Sequence, residues 1–281
     1  MVNIAKVGNL GFGGAGLTNI RSYTVVKQLL ETAFEHGIRH YDTAPLYGRG
    51  YSEVIYGKFL RGRRKEITIC TKFGLGEDYE TRSLPLSLLL QLNFYAKKIK
   101  SVSSDHVKNE TLPSYMTARE IDKDSVVKSF ETSLKRLNTD YIDYYLLHEG
   151  LPGYLTQEAL EYVLNLKRSG AVRFLGIGSS ISLIGRLNST DLDQKWDILQ
   201  YEGGMNNGSL KLLGKFSEKT HFYHSCVKHL EIGAEGCELK DRAGFVLARC
   251  VMANPKGKVI FSTQKVEHLK ANVESFIKYK Q

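Results

Sequence analysis

The sequence predicts an α/β protein: a (β/α)8 TIM barrel with a long loop after its third strand, spanning residues 1–281 as a single domain. Short strand-like runs alternate with amphipathic helical runs about eight times in 281 residues, a length suited to one barrel. The glycines of Gly11-Phe12-Gly13-Gly14-Ala15-Gly16 do not match a GxGxxG turn, and no downstream acid sits where a dinucleotide-binding half would need one. That disfavours the alternative, an open doubly wound sheet, and makes this stretch the first strand and its loop.

Asn9 to Gly13 is short and apolar. From Tyr23 to His36, residues Val26, Leu29, Leu30, Ala33 and Phe34 fall on one helical face. Ile38 to Tyr41 reads as a strand, and Ser52 to Leu60 as a helix capped by Ser52. Ile67 to Lys72 is the third strand. Asp124 to Leu137 is amphipathic, with Asp124 as cap, and a strand follows over Asp140 to Leu147. Thr156 to Ser169 is helical and stops at Gly170. Val172 to Gly178, Trp196 to Gln200, His221 to Cys226 and Lys258 to Ser262 are the remaining strands. Helices are expected over Lys240 to Ala253 and Val266 to Tyr279.

Residues 74–121 break this rhythm, separating the third strand from its helix by far more than the usual few residues. The segment carries Leu84, Leu86, Leu88, Leu89, Leu90, Leu92 and Phe94, then Lys97, Lys98 and Lys100. Packing on the barrel rim and service as a lid are compatible readings, since the segment leaves from the strand end bearing Lys72. A helix lying on a membrane surface is a third.

A core of this size needs no disulfide or metal support. Cys70, Cys226, Cys237 and Cys250 form no CxxC pair, which fits a reducing compartment. No run is apolar for the ~20 residues of a membrane helix, and Met1 to Lys6 lacks a signal-peptide layout. A cytoplasmic protein without stable membrane insertion is expected. The net charge of +9 includes no basic block interleaved with aromatics. Arg61 to Lys65 reads as the basic end of a helix rather than a nucleic-acid site, and the excess charge suits an anionic ligand such as a phosphorylated cofactor.

Four residues at or just past strand ends point to chemistry: Asp42, Tyr47, Lys72 and His148. In a barrel these ends share one mouth, and the second, third and fourth strands are neighbours. The set suits proton delivery to a carbonyl oxygen. Tyr47 would donate, Lys72 would lower the phenol's pKa, Asp42 would hold Lys72, and His148 would orient the carbonyl. No side chain supplies a hydride, so a nicotinamide cofactor is implied.

These motifs resemble the aldo-keto reductases over nearly the whole chain. The resemblance is carried by Asp42-Thr43-Ala44-Pro45-Leu46-Tyr47-Gly48 with Ser52-Glu53, by Thr71-Lys72, by Leu134 through Asp143 leading to Leu147-His148, and by Gly176-Ile177-Gly178. It implies a barrel that binds NAD(P)H extended, and the family roles of Asp42, Tyr47, Lys72 and His148 match those deduced above. Leu10 to Ala15 and Ala44 to Gly50 resemble the branch of aldose (sugar) dehydrogenases.

The resemblance also implies cofactor positions. Gln200 matches the glutamine that holds the nicotinamide carboxamide. The family's Ser-Asn pair becomes Gly178-Ser179, followed by Ser180. His224, followed by Ser225, stands where a tyrosine often stacks on the nicotinamide. Ser262, Thr263, Lys265, His268 and Asn272 fall in the adenosine-phosphate segment, where His268 replaces the usual arginine. NADP(H) is favoured over NAD(H), because Lys265 and His268 could both meet a phosphate. The expected activity is interconversion of an aldehyde, ketone or sugar with its alcohol. The alternatives are a slowly turning cofactor sensor and a reductase of nucleotide-linked sugars. Oligomeric state is not readable from the sequence.

Overall fold

Eight parallel strands close into a barrel in sequence order, β1 to β8. They are β1 Leu10–Gly13, β2 His40–Asp42, β3 Thr68–Phe73, β4 Ile142–His148, β5 Val172–Gly178, β6 Ile198–Glu202, β7 Thr220–His224 and β8 Lys258–Phe261. The structure is a computed structural model that describes residues 7–75, 84–102, 120–193, 195–204, 208–229 and 237–280, with backbone alone for 97–102 and 229. The predicted (β/α)8 barrel is the fold observed.

The main helices are α1 Tyr23–Glu35, α2 Tyr51–Leu60, α3 Leu86–Val102, α4 Lys123–Leu137, α5 Gln157–Arg168, α6 Ile181–Arg186, α7 Ser189–Leu192, α8 Ser209–Lys215, α9 Arg242–Ala253 and α10 Val266–Tyr279. In α1 the apolar spacing does what a 3.6-residue repeat requires: Val26, Leu29, Leu30 and Ala33 are buried against the strands. The Ser22 hydroxyl accepts from the Thr24 N–H at its start. The caps of α2 and α4 differ from expectation. Gly50, in the left-handed region at φ 84°, precedes α2. The Ser52 hydroxyl is instead buried, donating to the Gly14 carbonyl and accepting from Thr43. Asp122, not Asp124, caps α4 through the Ser125 N–H at 2.7 Å.

Strand pairing sets which residues point into the barrel. Gly13 lies beside Asp42, Lys72 beside Leu146, His148 and Gln200 flank Gly178, and Glu202 lies beside His224. With a two-residue side-chain period, the inward residues at the carboxyl ends are Asp42, Lys72, His148, Gln200, Glu202 and His224. Below them Cys70, Leu146, Ile198, Phe222 and Ile260 fill the interior as a separate apolar cluster. His40 packs edge-on to Tyr144 and Phe222 lower down. Burial, aided by Lys258, pushes its imidazole down to about 3, so it is a neutral packing residue.

Helix α2 sits close to α4. A Cβ on Gly57 would come within 2.2 Å of the Arg136 carbonyl oxygen. Gly57→Ala is therefore expected to cost about 3 kcal/mol, the upper end of overpacking. The urea midpoint measures it, and a loss under 0.5 kcal/mol would mean that the helices can separate at little cost.

Within 74–121, α3 packs on the turn Leu17–Asn19 and on α1. The Tyr51 hydroxyl donates to the Leu84 carbonyl. Leu90 is buried, whereas Leu88, Leu92 and Tyr95 are exposed. The rest of the expected lid, at 76–83 and 103–119, lies outside the described residues. Among the described residues no helix is long and apolar enough to cross a membrane.

Candidate active site

The carboxyl ends of the strands surround a cavity of about 450 Å³. Asp42, Tyr47, Lys72 and His148 all line it. Lys72 is the hub. Its Nζ donates to Asp42 Oδ1 at 2.8 Å, to Asp42 Oδ2 at 3.0 Å and to the Thr43 carbonyl at 2.9 Å. The Lys72 ammonium also lies 5.0 Å from the centroid of the Tyr47 ring. Gln200 Nε2 donates to Asp42 Oδ2 at 2.8 Å. Asp42 is thus held from β3 and from β6.

The electrostatics follow from burial and this network. For Asp42, burial works against the charge, but Lys72 and the Gln200 amide outweigh it and hold the carboxyl below its usual range. For Lys72, burial would lower the ammonium, but Asp42 above all holds it well above the usual lysine range. Burial raises Tyr47; Lys72 pulls it down but does not prevail. The sequence reading expected a net lowering, so the physical picture changes: the resting phenol is firmly protonated, with a cation beside it. Burial and then Lys72 push His148 down to about 3, leaving a neutral imidazole. Its ring stands edge-on to Tyr47 at 6.0 Å between centroids, and its buried Nδ1 has no partner among the described residues.

Of the expected cofactor positions, Gln200, His224, Ser225, Ser262 and Asn272 line the same cavity. Ser179 is buried just behind it, its N–H bonded to the Gln200 carbonyl at 2.9 Å. Ser180 serves as the cap of α6, accepting from the Leu183 N–H. Thr263, Lys265 and His268 lie beyond the lining: Lys265 and His268 are exposed, and the Lys265 N–H donates to the Thr263 hydroxyl at 3.3 Å.

The residues present fit a nicotinamide cofactor. At Gly178, which lines the cavity, a Cβ would crowd Gln200 Oε1 at 3.1 Å, beside Lys72 Cε at 3.5 Å, so glycine keeps this wall thin. The cavity lining includes His148 at the end of β4 and Asn272 of α10.

Sequence reading missed Glu149, Cys226 and Lys228, which also line the cavity. Glu149 follows His148 directly, and that adjacency was the signal available. Three of the non-glycine residues with positive φ stand in the loops of this site: Arg49 at 55°, Glu149 at 49° and Ser225 at 58°. Such backbone is costly for L-residues and gathers where geometry is constrained by a site.

A sequence model of the aldo/keto reductase family matches residues 9–229. A D-threo-aldose 1-dehydrogenase from Pseudomonas is 31% identical over 195 residues, covering 66% of this chain and 54% of that protein. A probable aldo-keto reductase from Glycine max is 28% identical over 180 residues, covering 62% of this chain and 42% of its own length. The chain thus spans only about half the length of the curated relatives it matches. Among solved structures, an aldo-keto reductase from Bacillus halodurans in its holo form superposes with a TM-score of 0.64 at 21% identity, covering 98% of this chain and 90% of that one. One from Klebsiella pneumoniae, in complex with NADPH, gives 0.62 at 19% identity, covering 96% and 85%. The shared barrel and the family match over most of its strands lead to one conclusion: this chain belongs to the aldo/keto reductase family.

Proposed function

We propose that this protein is an NAD(P)-dependent oxidoreductase interconverting a carbonyl and its alcohol, with Tyr47 as the proton donor. The observation that carries this reading is the convergence of a protonated phenol, a buried ammonium and a neutral imidazole on one cavity. When bound, the nicotinamide supplies or accepts the hydride. Everything else is done by this chain's residues. His148, neutral and lining the cavity, donates to the carbonyl oxygen and fixes its direction. Tyr47 passes its proton to that oxygen as negative charge develops there. Lys72 then faces the phenolate, stabilising charge that exists only as the reaction proceeds. Asp42 keeps Lys72 charged and in place, and Gln200 keeps Asp42 in place.

Gln200, His224, Ser225, Ser262 and Asn272 are the residues that would hold the cofactor along the cavity. NADP(H) is the favoured form. The Klebsiella pneumoniae structure carries NADPH, and a relative from Schizosaccharomyces pombe is an NADP(+) enzyme by its name. Lys265, exposed beside this end of the barrel, offers positive charge for a phosphate, and the exposed His268 ring offers a hydrogen bond. The aldose dehydrogenase relative supports a sugar or similar hydroxylated carbonyl as substrate.

The direct test follows cofactor absorbance with a panel of aldehydes, ketones and sugars, supplying NADPH and NADH in turn. Turnover with NADPH is expected, and no cofactor oxidation with any carbonyl would overturn the reading. Lys72→Met is expected to lower kcat by about a hundredfold, within the range of a lost electrostatic partner. It should also move the alkaline limb of the reduction profile upward, because the cation that lowers the phenol is gone. An unchanged pH–rate profile would separate Lys72 from Tyr47.

A further inference from the structure

Four charged side chains line the cavity: Asp42, Lys72, Glu149 and Lys228, the last exposed and on the side of His224. Asp42 is matched by Lys72, while His148 and His224 are held neutral, chiefly by burial. Glu149 remains. It is half-buried, it lines the cavity next to His148, and among the described residues no cation forms an ion pair with it. Its Oε2 accepts from the Ser180 N–H at 3.1 Å and from the Ser179 hydroxyl at 3.4 Å. Glu202 accepts from the next N–H, that of Ile181, at 2.9 Å. Two carboxylates therefore meet the first turn of α6, and burial and the nearby Glu202 both raise Glu149. The residue also holds a left-handed backbone at φ 49°. Both hydrogen bonds to Glu149 go to Oε2, and Oε1 accepts none among the described residues, so that oxygen is free for a ligand in the cavity.

We propose that Glu149 is a specificity-determining residue: its carboxylate accepts hydrogen bonds from hydroxyls of a neutral, polyhydroxylated carbonyl substrate and repels substrates bearing an anionic group within a few carbons of the reacting carbonyl. This rests on the carbonyl-oxidoreductase reading and deepens it. A hydroxyl donates to a carboxylate at little desolvation cost, forming one of the stronger kinds of hydrogen bond. A carboxylate or phosphate brought to the same wall would meet like charge in a partly water-excluded space. The basic overall charge of the chain would favour anions, but this wall opposes them where chemistry occurs. A large anionic substituent would have to lie away from His148.

The test uses the full chain with NADPH at pH 8, above the carboxylate range, and three aldehydes: glyceraldehyde, propanal and succinate semialdehyde. Each kcat/KM is expressed relative to propanal, which has neither hydroxyl nor charge beyond its carbonyl. For Glu149→Gln, which keeps an oxygen for the Ser180 N–H, the succinate semialdehyde ratio is expected to rise about tenfold and the glyceraldehyde ratio to fall about tenfold, mainly through KM. Glu149→Asp should fall between. A second measurement compares salt dependence: the succinate semialdehyde ratio should fall less steeply with salt in the wild type than in Glu149→Gln, because salt screens the wall's repulsion together with the chain's general attraction, while the glyceraldehyde ratio stays flat. Ratios unmoved by the substitution, or identical salt dependence of the semialdehyde ratio in wild type and Glu149→Gln, overturn the inference while leaving the oxidoreductase reading in place. Absence of turnover with every aldehyde overturns both.

Discussion

Tyr47→Phe is expected to lower kcat/KM for carbonyl reduction by about a thousandfold, the middle of the range for a lost general acid. Cofactor affinity, read by fluorescence titration, should stay within about twofold. In the proposed function the phenol's oxygen gives the proton, while the ring, edge-on to His148, keeps its shape in the variant. The pH dependence has a definite sign. Burial raises the phenol despite Lys72, so the acid form persists through neutrality. Reduction by the wild type should be flat from about pH 6 to 9 and fall only as the phenol ionises, at or above the usual tyrosine value of about 10. In the phenylalanine variant that alkaline limb should disappear. Retained turnover would remove Tyr47 as donor; loss of cofactor binding in parallel would make its role one of shape.

Arg136→Met is expected to destabilise the protein by about 3–5 kcal/mol, because it strands a buried carboxylate. Glu53 has no exposed surface. It accepts from the Thr71 hydroxyl at 2.7 Å, the Ser133 hydroxyl at 2.7 Å and Arg136 Nη1 at 3.2 Å. Those contacts tie α2 and α4 to the residue just before Lys72, so the loss should reach the site as well as the fold. Even with Arg136 present, burial leaves Glu53 above its ordinary value. A carboxyl with a raised folded pKa contributes most below its unfolded value, and that contribution is lost as pH rises through the folded one. Removing the guanidinium raises the folded value further. The deficit of Arg136→Met, from urea midpoints, should therefore be larger at pH 8 than at pH 5. An equal deficit at both would mean that lost packing, not stranded charge, is the cause.

Periodicity made most elements legible. α10 has the bounds read from the sequence, Val266 to Tyr279, and α1 differs by one residue at its end. A repeat of 3.6 residues is a property of the segment itself. Caps are less legible, because a hydroxyl or carboxylate has several uses. Ser52 is spent on the Gly14 carbonyl, deep in the loop packing, and Asp122 outcompetes Asp124 by standing where the backbone is still extended. Asp42, Tyr47, Lys72 and His148 could be picked out because their residue types are uncommon at strand ends and their strands are adjacent. Glu149 escaped that logic. Its role depends on a left-handed backbone and on the start of α6, about 30 residues later in the chain, and neither is written in the local pattern. The same holds for the adenosine-phosphate positions: Asn272 reaches the cavity from the side of α10, whereas Lys265 and His268 stay in solvent.

The hydrogen bond from Gln200 to Asp42 crosses the barrel, since β2 and β6 stand opposite one another in the ring of eight. During refolding, a half-ring of β1 to β4 could bring Asp42, Lys72 and His148 together through strand pairing alone. It would still lack the amide that pins Asp42 from the far side. The site is therefore a sensor of ring closure: it reaches its final geometry only when the last strands have joined. Any recovery of cofactor turnover should lag behind the return of secondary structure. The two halves of the chain are bound to one another by the same contact that holds Asp42 against Lys72.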